Sequence, residues 1–284
     1  MKSIELFSHA KINLRLDIVG KRKDGYHDIR TLFQKVSLRD ELRITTSGNS
    51  IKVECDKHQV PANEGNLAYT AAQAILNQYG IKDGVSISIK KNIPIAAGLG
   101  GGSSNAASTL LGINQLFGLG ASTRELMRIG RDIGADVPFF IFGKTALATG
   151  IGDRLEKIEI TPKLWLLLIT PGIQISTAWA YSNLRMGLTS RPINTNIPNC
   201  INHLTEIISL LSNDLEKAVI PRYPIVKSIK EDLLNKGAQG SLMSGSGSTV
   251  YGIFSSEDEA KEAYGQLTNH SDWQVHLSHT YIST

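Results

Sequence analysis

The sequence predicts an α+β fold in two parts, and three observations support that class. From His9 to Ile18 polar and apolar residues alternate strictly, which is the period-two pattern of a half-buried strand. Ser122-Thr123-Arg124-Glu125 has the form of a capping box and predicts the start of a helix. A polar stretch at residues 157–163 separates two segments of mixed strand and helix patterns. We therefore expect one domain over residues 1–158 and a second over residues 159–284.

The first part carries its predicted elements in a clear order. Lys11 and Asn13 fall on one face of the first strand, roughly 7 Å apart, because side chains alternate along a strand. Asp24-Gly25 predicts a turn that leads into a second strand. The other predicted elements are a strand over 31–36, a hairpin over 42–53 around Ser47-Gly48-Asn49, a helix over 66–79 and a strand over 85–89.

The second part shows the same mixture of patterns. Its apolar run at residues 164–169 predicts a strand. The elements predicted after it are helices over 201–211 and 224–235, a strand over 249–254, a helix over 256–267 and a strand over 274–279.

Composition indicates a cytoplasmic enzyme that acts on a small anionic molecule. Apolar residues make up 41% and charged residues 20% of the 284, which is typical of a folded domain. No apolar run is long enough to cross a bilayer, and the N-terminus lacks the apolar region of a secretory signal. Cys55 and Cys200 are far apart in sequence and indicate neither disulfides nor a zinc site. The net charge of +4 is spread along the chain, so nucleic-acid binding is not expected.

The segment from Pro94 to Ser108 reads P-I-A-A-G-L-G-G-G-S-S-N-A-A-S and predicts a phosphate site. Its glycines allow positive φ, and its serines are expected to cap a helix that follows directly. Backbone N–H groups then converge at the positive end of that helix, which favours an anion. Walker A, dinucleotide-binding and protein-kinase signatures do not fit the chain. On this loop alone, a Gly/Ser-rich surface turn stays open as the alternative.

Three segments occur in the order of the three motifs of the GHMP kinase superfamily, which the chain therefore resembles. They are the strand with Lys11, the loop 94–104 and the glycine-serine segment 240–249. The superfamily includes galactokinase and the homoserine, mevalonate and phosphomevalonate kinases. The resemblance implies a two-domain fold, with an N-terminal ribosomal-protein-S5-domain-2-like α/β domain and a C-terminal ferredoxin-like α/β domain.

One branch of that superfamily is matched more closely. The matching segments are S-H-A-K-I-N-L from residue 8, R-K-D-G-Y-H from residue 22, G-A-D-V-P from residue 134 and S-G-S-G from residue 244. Members of this branch phosphorylate a cytidine diphosphate-linked methylerythritol in the non-mevalonate route to isoprenoids. The resemblance thus implies ATP and Mg²⁺ as cofactors, a small-molecule substrate, and neither a nucleic-acid nor a membrane partner. We expect a monomer or a weak homodimer.

The resemblance also implies the catalytic and ATP-binding residues. Asp136 matches the base that accepts the proton of the acceptor hydroxyl, and Lys11 matches its electrostatic partner. Local evidence alone explains Asp136 as a helix cap and Lys11 as an exposed strand lysine. The expected ATP-binding residues are Asn66, Lys91, Pro94, Ile95, Ala96, Ala97, Gly98, Leu99, Gly100, Gly101, Gly102, Ser103, Ser104 and Asn105. A helix N-cap for Asn66 and a solvated side chain for Lys91 stay open, and the Mg²⁺ ligands are unassigned.

For the substrate, the resemblance implies contacts with the cytosine and with the third loop. Tyr26 and Tyr181 match positions that stack on the base, and His27 can hydrogen-bond the base edge. The expected substrate-binding residues are Asn13, Tyr26, His27, Tyr181, Gly245 and Gly247. Two alternatives remain: another small-molecule kinase of the superfamily, such as a homoserine or mevalonate kinase, and a non-catalytic ligand sensor.

Overall fold

Strands and helices occur in runs along the chain, as is typical of the α+β class. The structure is a computed structural model that describes residues 2–184 and 197–281. The strands are β1 (Ser3–Lys21), β2 (His27–Thr46), β3 (Lys52–Cys55), β4 (Val85–Lys90), β5 (Ala146–Thr149), β6 (Arg154–Lys157), β7 (Glu159–Ile160), β8 (Trp165–Pro171), β9 (Cys200–Ile201), β10 (Ser212–Asn213), β11 (Gly240–Met243), β12 (Val250–Phe254) and β13 (Trp273–His279). The helices are α1 (Leu67–Gln78), α2 (Gly101–Phe117), α3 (Thr123–Ile133), α4 (Val137–Phe142), α5 (Thr177–Ser182), α6 (Leu204–Leu210), α7 (Glu216–Arg222), α8 (Ile225–Asn235) and α9 (Glu257–Leu267).

The chain folds as two compact units, each built from discontinuous stretches. Unit 1 comprises Met1–Ala10, Arg39–Ile95 and Gly100–Gly143, and unit 2 comprises Lys11–Leu38, Ala96–Leu99 and Lys144–Thr284. The long strands β1 and β2 contribute residues to both units. The single boundary predicted from the sequence, between residues 158 and 159, stays a prediction.

In unit 1 the end of β2 pairs with β4, and β4 pairs with β3. The first pairing is antiparallel, with Ile44 opposite Ile87, and the second is parallel, with Val53 opposite Ile87. The predicted hairpin over residues 42–53 is therefore wrong, because β4 lies between its two arms. The turn residues also bond to the start of β4: Ser47 N–H donates to Gly84 O at 2.9 Å, and Gly84 N–H donates to Gly48 O at 2.7 Å.

Two helices of unit 1 begin where side chains satisfy their first N–H groups. Asn66 caps α1, and Ser122 and Glu125 form the predicted capping box of α3. Helix α1 packs on α2 and α3 packs on α4. Gly112 brings α2 close to the strands, because a Cβ at that position would lie 2.7 Å from Ile44 Cδ1. The close packing fixes the axis of α2, whose N-terminus follows the glycine-rich loop.

Unit 2 is organised around an antiparallel sheet in the order β11-β12-β8-β13. Helices α8 and α9 pack on this sheet and bury apolar residues such as Leu167, Ile169 and Val250. Strand β1 pairs with β10, and β2 pairs with β5. Residues 244–249 form the turn between β11 and β12, so the third glycine-serine segment joins two strands. Among the described helices, none is long and apolar enough to span a bilayer.

Candidate active site

In unit 2, Lys11 and Asn13 share one face of β1, as the alternation predicts. The Lys11 ammonium donates to Asn13 Oδ1 at 2.8 Å and lies 4.7 Å from the centroid of the Phe33 ring. Asn13 Nδ2 in turn donates to Thr31 Oγ1 at 2.7 Å. Lys11 is only 4% exposed, so the alternative of an exposed strand lysine is wrong. Burying an ammonium is costly without polar partners, and this geometry indicates a lysine held in position by its neighbours.

The three sequence motifs meet within unit 2. The backbone N–H of Lys11 donates to Leu99 O at 3.0 Å, and this bond connects β1 to the glycine-rich loop. Thr249 N–H donates to Ala97 O at 3.2 Å, and Ser244 Oγ donates to Gly98 O at 3.0 Å. Loop residues 96–99 are therefore bonded to β1 on one side and to the turn 244–249 on the other. This arrangement is the main reason for treating the region as an active site.

Glycine is required where these two loops approach each other. Gly98 has a φ of +78°, and a Cβ there would overlap the Ser244 carbonyl oxygen and lie 2.9 Å from Gly247 O. Gly245 has a φ of +57°, and a Cβ there would lie 3.1 Å from Gly98 O and 3.5 Å from Asn13 Oδ1. An L side chain rarely adopts such φ values, so both constraints exclude larger residues. Gly245 thus lies close to Asn13, another expected substrate-binding residue.

Asn213 holds the third loop, although no sequence motif predicts it. Its Nδ2 donates to the carbonyl oxygens of Met243 and Gly245, both at 2.8 Å, and its Oδ1 accepts from Leu215 N–H at 3.0 Å. Asn213 lies in the two-residue strand β10, whose Ser212 pairs with Arg15 of β1. The only local signal is that Asn213 precedes Leu215 by two residues. This spacing predicts a short turn, but it does not predict the hydrogen bonds to the distant carbonyls of Met243 and Gly245.

The three aromatic residues expected around the cytosine differ in their contacts and exposure. The His27 and Tyr181 rings lie together, with centroids 5.2 Å apart and an interplanar angle of 36°. Burial, with a smaller effect from Lys21, lowers the pKa of His27, which therefore favours the neutral ring at pH 7. Tyr26 is 60% exposed and lies in the turn before β2. The structure thus brings His27 to Tyr181 and leaves the Tyr26 ring open to solvent.

In unit 1 the loop ends at α2 differently from the prediction. Ser103 and Ser104 were expected to cap the helix, but α2 begins at Gly101, and Gly100 is the N-cap with a φ of +71°. Gly100 has no side chain that could cap the first N–H groups of α2. Ser103 and Ser104 lie after the cap position, inside the helix. Ser104 Oγ donates to His9 O at 2.7 Å, whereas Ser103 is half-buried.

The other expected loop residues differ in exposure. Pro94, Ala97 and Leu99 are buried, Ile95 is half-buried, and Ala96 and Gly102 are exposed. Ala96 has a φ of +53°, which is uncommon for a residue with a Cβ. Gly247, in the turn 244–249, has a φ of +85° and packs against Met243, where a Cβ would lie 2.8 Å from the sulfur.

Asp136 lies at the N-terminus of α4, the short helix that packs on α2 and α3. It occupies the N-cap position, but its side chain makes no capping hydrogen bond to that helix. The half-buried Asp136 therefore stands at the cap position of α4, but its carboxylate does not accept a hydrogen bond from the first N–H groups of that helix. Two residues before Asp136 is Gly134, where a Cβ would lie 3.7 Å from Ser103 Oγ.

Asn66, Lys91 and Asn105 are all buried, and each uses its polar atoms within unit 1. Asn66 accepts from Ala68 N–H at 2.9 Å as the N-cap of α1 and donates to Pro61 O at 2.8 Å. The solvated alternative for Lys91 is wrong, because it is 7% exposed and forms an ion pair with Asp40. Asn105 also bonds to Asp40.

Comparisons with known proteins agree with these motifs. The GHMP kinases N terminal domain matches residues 66–144, and the GHMP kinases C terminal domain matches residues 197–272. A 4-diphosphocytidyl-2-C-methyl-D-erythritol kinase of Geobacter metallireducens is 50% identical over 276 residues, which cover 97% of this chain and 98% of that protein. The protein of that name from Geobacter sp. strain M21 is 52% identical over 274 residues, covering 96% and 97%.

Solved structures give the same result. A crystal structure of 4-(cytidine 5'-diphospho)-2C-methyl-D-erythritol kinase matches with a TM-score of 0.80 and 32% identity, covering 98% of this chain and 100% of that one. A homoserine kinase from Cytophaga hutchinsonii matches with a TM-score of 0.75 at 20% identity, covering 99% and 95%, and shows the fold alone. The predicted GHMP kinase fold is confirmed. With half of its residues identical to those of its relatives over nearly its full length, the chain belongs to the 4-diphosphocytidyl-2-C-methyl-D-erythritol kinase family of the GHMP kinases.

Proposed function

We propose that this chain transfers the γ-phosphoryl group of ATP to the 2-hydroxyl of 4-diphosphocytidyl-2-C-methyl-D-erythritol, giving the 2-phosphate and ADP. This reaction belongs to the non-mevalonate route to isoprenoid precursors. The observation that carries the proposal is that hydrogen bonds join Lys11, loop residues 96–99 and the turn 244–249. The chain that makes these bonds is about half identical to kinases of that name.

The N-terminus of α2 supports binding of the ATP phosphates. This helix has 17 residues and begins after a glycine N-cap, so its first N–H groups receive no capping side chain. Gly100, Gly101 and Ser103 are half-buried and Gly102 is exposed, which leaves the helix end open to a ligand. Unsatisfied N–H groups and the helix dipole together favour a phosphate at such an end.

The chemical step uses Asp136 and Lys11. The substrate 2-hydroxyl oxygen forms a bond to the γ-phosphorus while the bond from that phosphorus to the β,γ-bridging oxygen breaks, and the hydroxyl proton passes to the Asp136 carboxylate. A carboxylate is ionised at pH 7 and can accept this proton. The Lys11 ammonium stabilises the negative charge of the transferring group. The half-buried position of Asp136 and the buried position of Lys11 support these roles.

His27, Tyr181 and Tyr26 bind the cytidine end. The paired His27 and Tyr181 rings provide an aromatic surface, and neutral His27 has one ring nitrogen that donates and one that accepts. The exposed Tyr26 ring stacks on the base from the turn before β2. Such contacts distinguish a cytidine-linked alcohol from mevalonate or homoserine, which have no base to stack.

Mg²⁺ accompanies ATP in this proposal. In the part of the chain that the structure describes, no three His, Cys, Asp or Glu side chains are grouped to hold a metal ion. Mg²⁺ in phosphoryl transfer retains several waters and binds phosphate oxygens, so in this proposal water and ATP supply most of its ligands. The ion supplies charge neutralisation on the phosphates when bound.

The test is an ADP-release assay with three alcohols: 4-diphosphocytidyl-2-C-methyl-D-erythritol, mevalonate and homoserine. We expect turnover with the first only, and phosphorus NMR should show a new phosphomonoester in its product. Turnover confined to mevalonate or homoserine would replace the proposed substrate. Binding of ATP with no phosphorylated product from any of the three would instead indicate a ligand sensor.

A further inference from the structure

Asp40 is a completely buried carboxylate in β2, and its hydrogen bonds lie within unit 1. Its Oδ1 accepts from the backbone N–H groups of Asn92 at 2.8 Å and Ile93 at 2.9 Å. Its Oδ2 accepts from Lys91 Nζ at 2.5 Å and from Asn105 Nδ2 at 2.9 Å. A carboxylate has about four acceptor sites, so its capacity is used in full.

These bonds join the two ends of the glycine-rich loop. Asn92 and Ile93 immediately precede the loop, and Asn105 lies in the first turns of α2, immediately after it. Residues 94–104 lie between Ile93 and Asn105, and only 94–100 of them precede α2, so one side chain sets the distance that this short segment must span. Lys91 strengthens the join, because its ammonium also donates to Asn105 Oδ1 at 3.1 Å.

The charges at this point explain why a carboxylate is needed. The Lys91 ammonium lies beneath the start of α2, where a Cβ on Gly101 would be 3.1 Å from Nζ. A helix N-terminus carries partial positive charge, so an ammonium alone at this position would be repelled. Asp40 is negative and balances both the ammonium and the helix end. A neutral amide would keep the shape but would present donors to Lys91 and Asn105.

We propose that Asp40 is a positioning residue that holds the glycine-rich loop in its ATP-binding conformation by fixing the distance between the loop's two ends. The inference rests on the proposed use of this loop for ATP. Asp40 acts through the backbone at Asn92 and Ile93 and through the first turns of α2, without contact with the nucleotide. Its loss should therefore weaken ATP binding more than it changes the chemical step.

The experiment compares Asp40→Asn and Asp40→Glu with the wild type, with Asp17→Asn as a matched control. Asp17 also pairs with a largely buried cation, Arg15 at 2.6 Å, but its ion pair involves neither end of the loop. Calorimetry gives the Kd for ATP alone, kinetics give KM for ATP, KM for the alcohol and kcat, and thermal unfolding gives Tm. Asp40→Glu keeps the charge and lengthens the side chain, so it tests spacing in a variant with no unpaired buried charge.

We expect both Asp40 variants to raise the Kd and KM for ATP about tenfold or more, or roughly 1.4 kcal/mol, with kcat and the KM for the alcohol within about twofold. Asp40→Asn should also lower Tm by roughly 10 °C, because it leaves the Lys91 ammonium buried without its partner. The Asp17→Asn control should lower Tm with no change in the Kd for ATP.

An unchanged Kd for ATP in folded Asp40→Glu would overturn the inference, even if Asp40→Asn did not fold. So would an equal rise in the control, because that would indicate a general loss of structure. The Kd comparison needs no acceptor alcohol, so failure of the wild type to phosphorylate any alcohol would refute the proposed function and leave this test intact.

Discussion

Replacing Gly98 by alanine should destabilise the protein through two separable effects. The first is the φ of +78°, which disfavours an L residue by about 1–2 kcal/mol. The second is steric: the new Cβ would overlap Ser244 O and lie 2.9 Å from Gly247 O, and neither backbone oxygen can rotate away. Overpacking of this kind costs about 1–3 kcal/mol. The two together predict that Gly98→Ala lowers the free energy of unfolding by about 2–5 kcal/mol.

Gly118→Ala is the matched control, because Gly118 has a φ of +62° and, apart from the adjoining backbone, nothing lies within 4 Å of the point that an alanine Cβ would occupy. It shares the backbone strain without the overlap, so we expect a loss of about 1–2 kcal/mol. Urea unfolding of both variants measures the difference. Gly98→Ala should also raise KM for ATP, because the loop must move away from the turn 244–249 to relieve the overlap. Equal unfolding midpoints for the two variants would refute the steric argument.

Three further predictions concern polar side chains of unit 2. Asn213→Ala removes the donor of the Met243 and Gly245 carbonyls, and urea unfolding should show a loss of about 2 kcal/mol; an unchanged midpoint would contradict the clamp. Tyr251→Phe removes the 2.8 Å hydrogen bond to Asn13 O and should cost about 1 kcal/mol in the same assay, and no cost would mean that this buried bond is dispensable. Burial lowers the pKa of His276 below about 6.5, so the unfolded chain takes up the proton first as the pH falls. Stability that is present above that pH is therefore lost as the pH falls through the folded-state pKa. A His276→Gln variant whose free energy of unfolding has the same pH slope as that of the wild type would rule this out.

Local patterns predicted the elements whose physics is local. The strict alternation of β1 placed Lys11 and Asn13 on one face, and the capping box at Ser122 marked the start of α3. The hairpin over residues 42–53 was wrong because strand pairing depends on which strand fills the neighbouring position. Nothing in that stretch indicates that β4, some 30 residues later, lies between its arms.

The site was predicted from motifs, whereas its supporting contacts were not. An isolated lysine at position 91 is most often solvated, and its burial depends on Asp40, 51 residues away in sequence. The helix after the loop begins at Gly101, because a glycine N-cap is compatible with the left-handed φ at Gly100 and the serine preference is only statistical. Asn213 gave no local signal for the carbonyls that it binds 30 and 32 residues later.

The most direct test of the proposed chemistry compares product formation by wild type, Asp136→Asn and Lys11→Met at saturating ATP and 4-diphosphocytidyl-2-C-methyl-D-erythritol. We expect the wild type to form the 2-phosphate and ADP, and both variants to lose about 100-fold or more in kcat, because general base catalysis and charge stabilisation each contribute at least that much. Calorimetry should show ATP binding retained by Asp136→Asn. Near wild-type turnover by Asp136→Asn would contradict the central claim that this carboxylate accepts the proton.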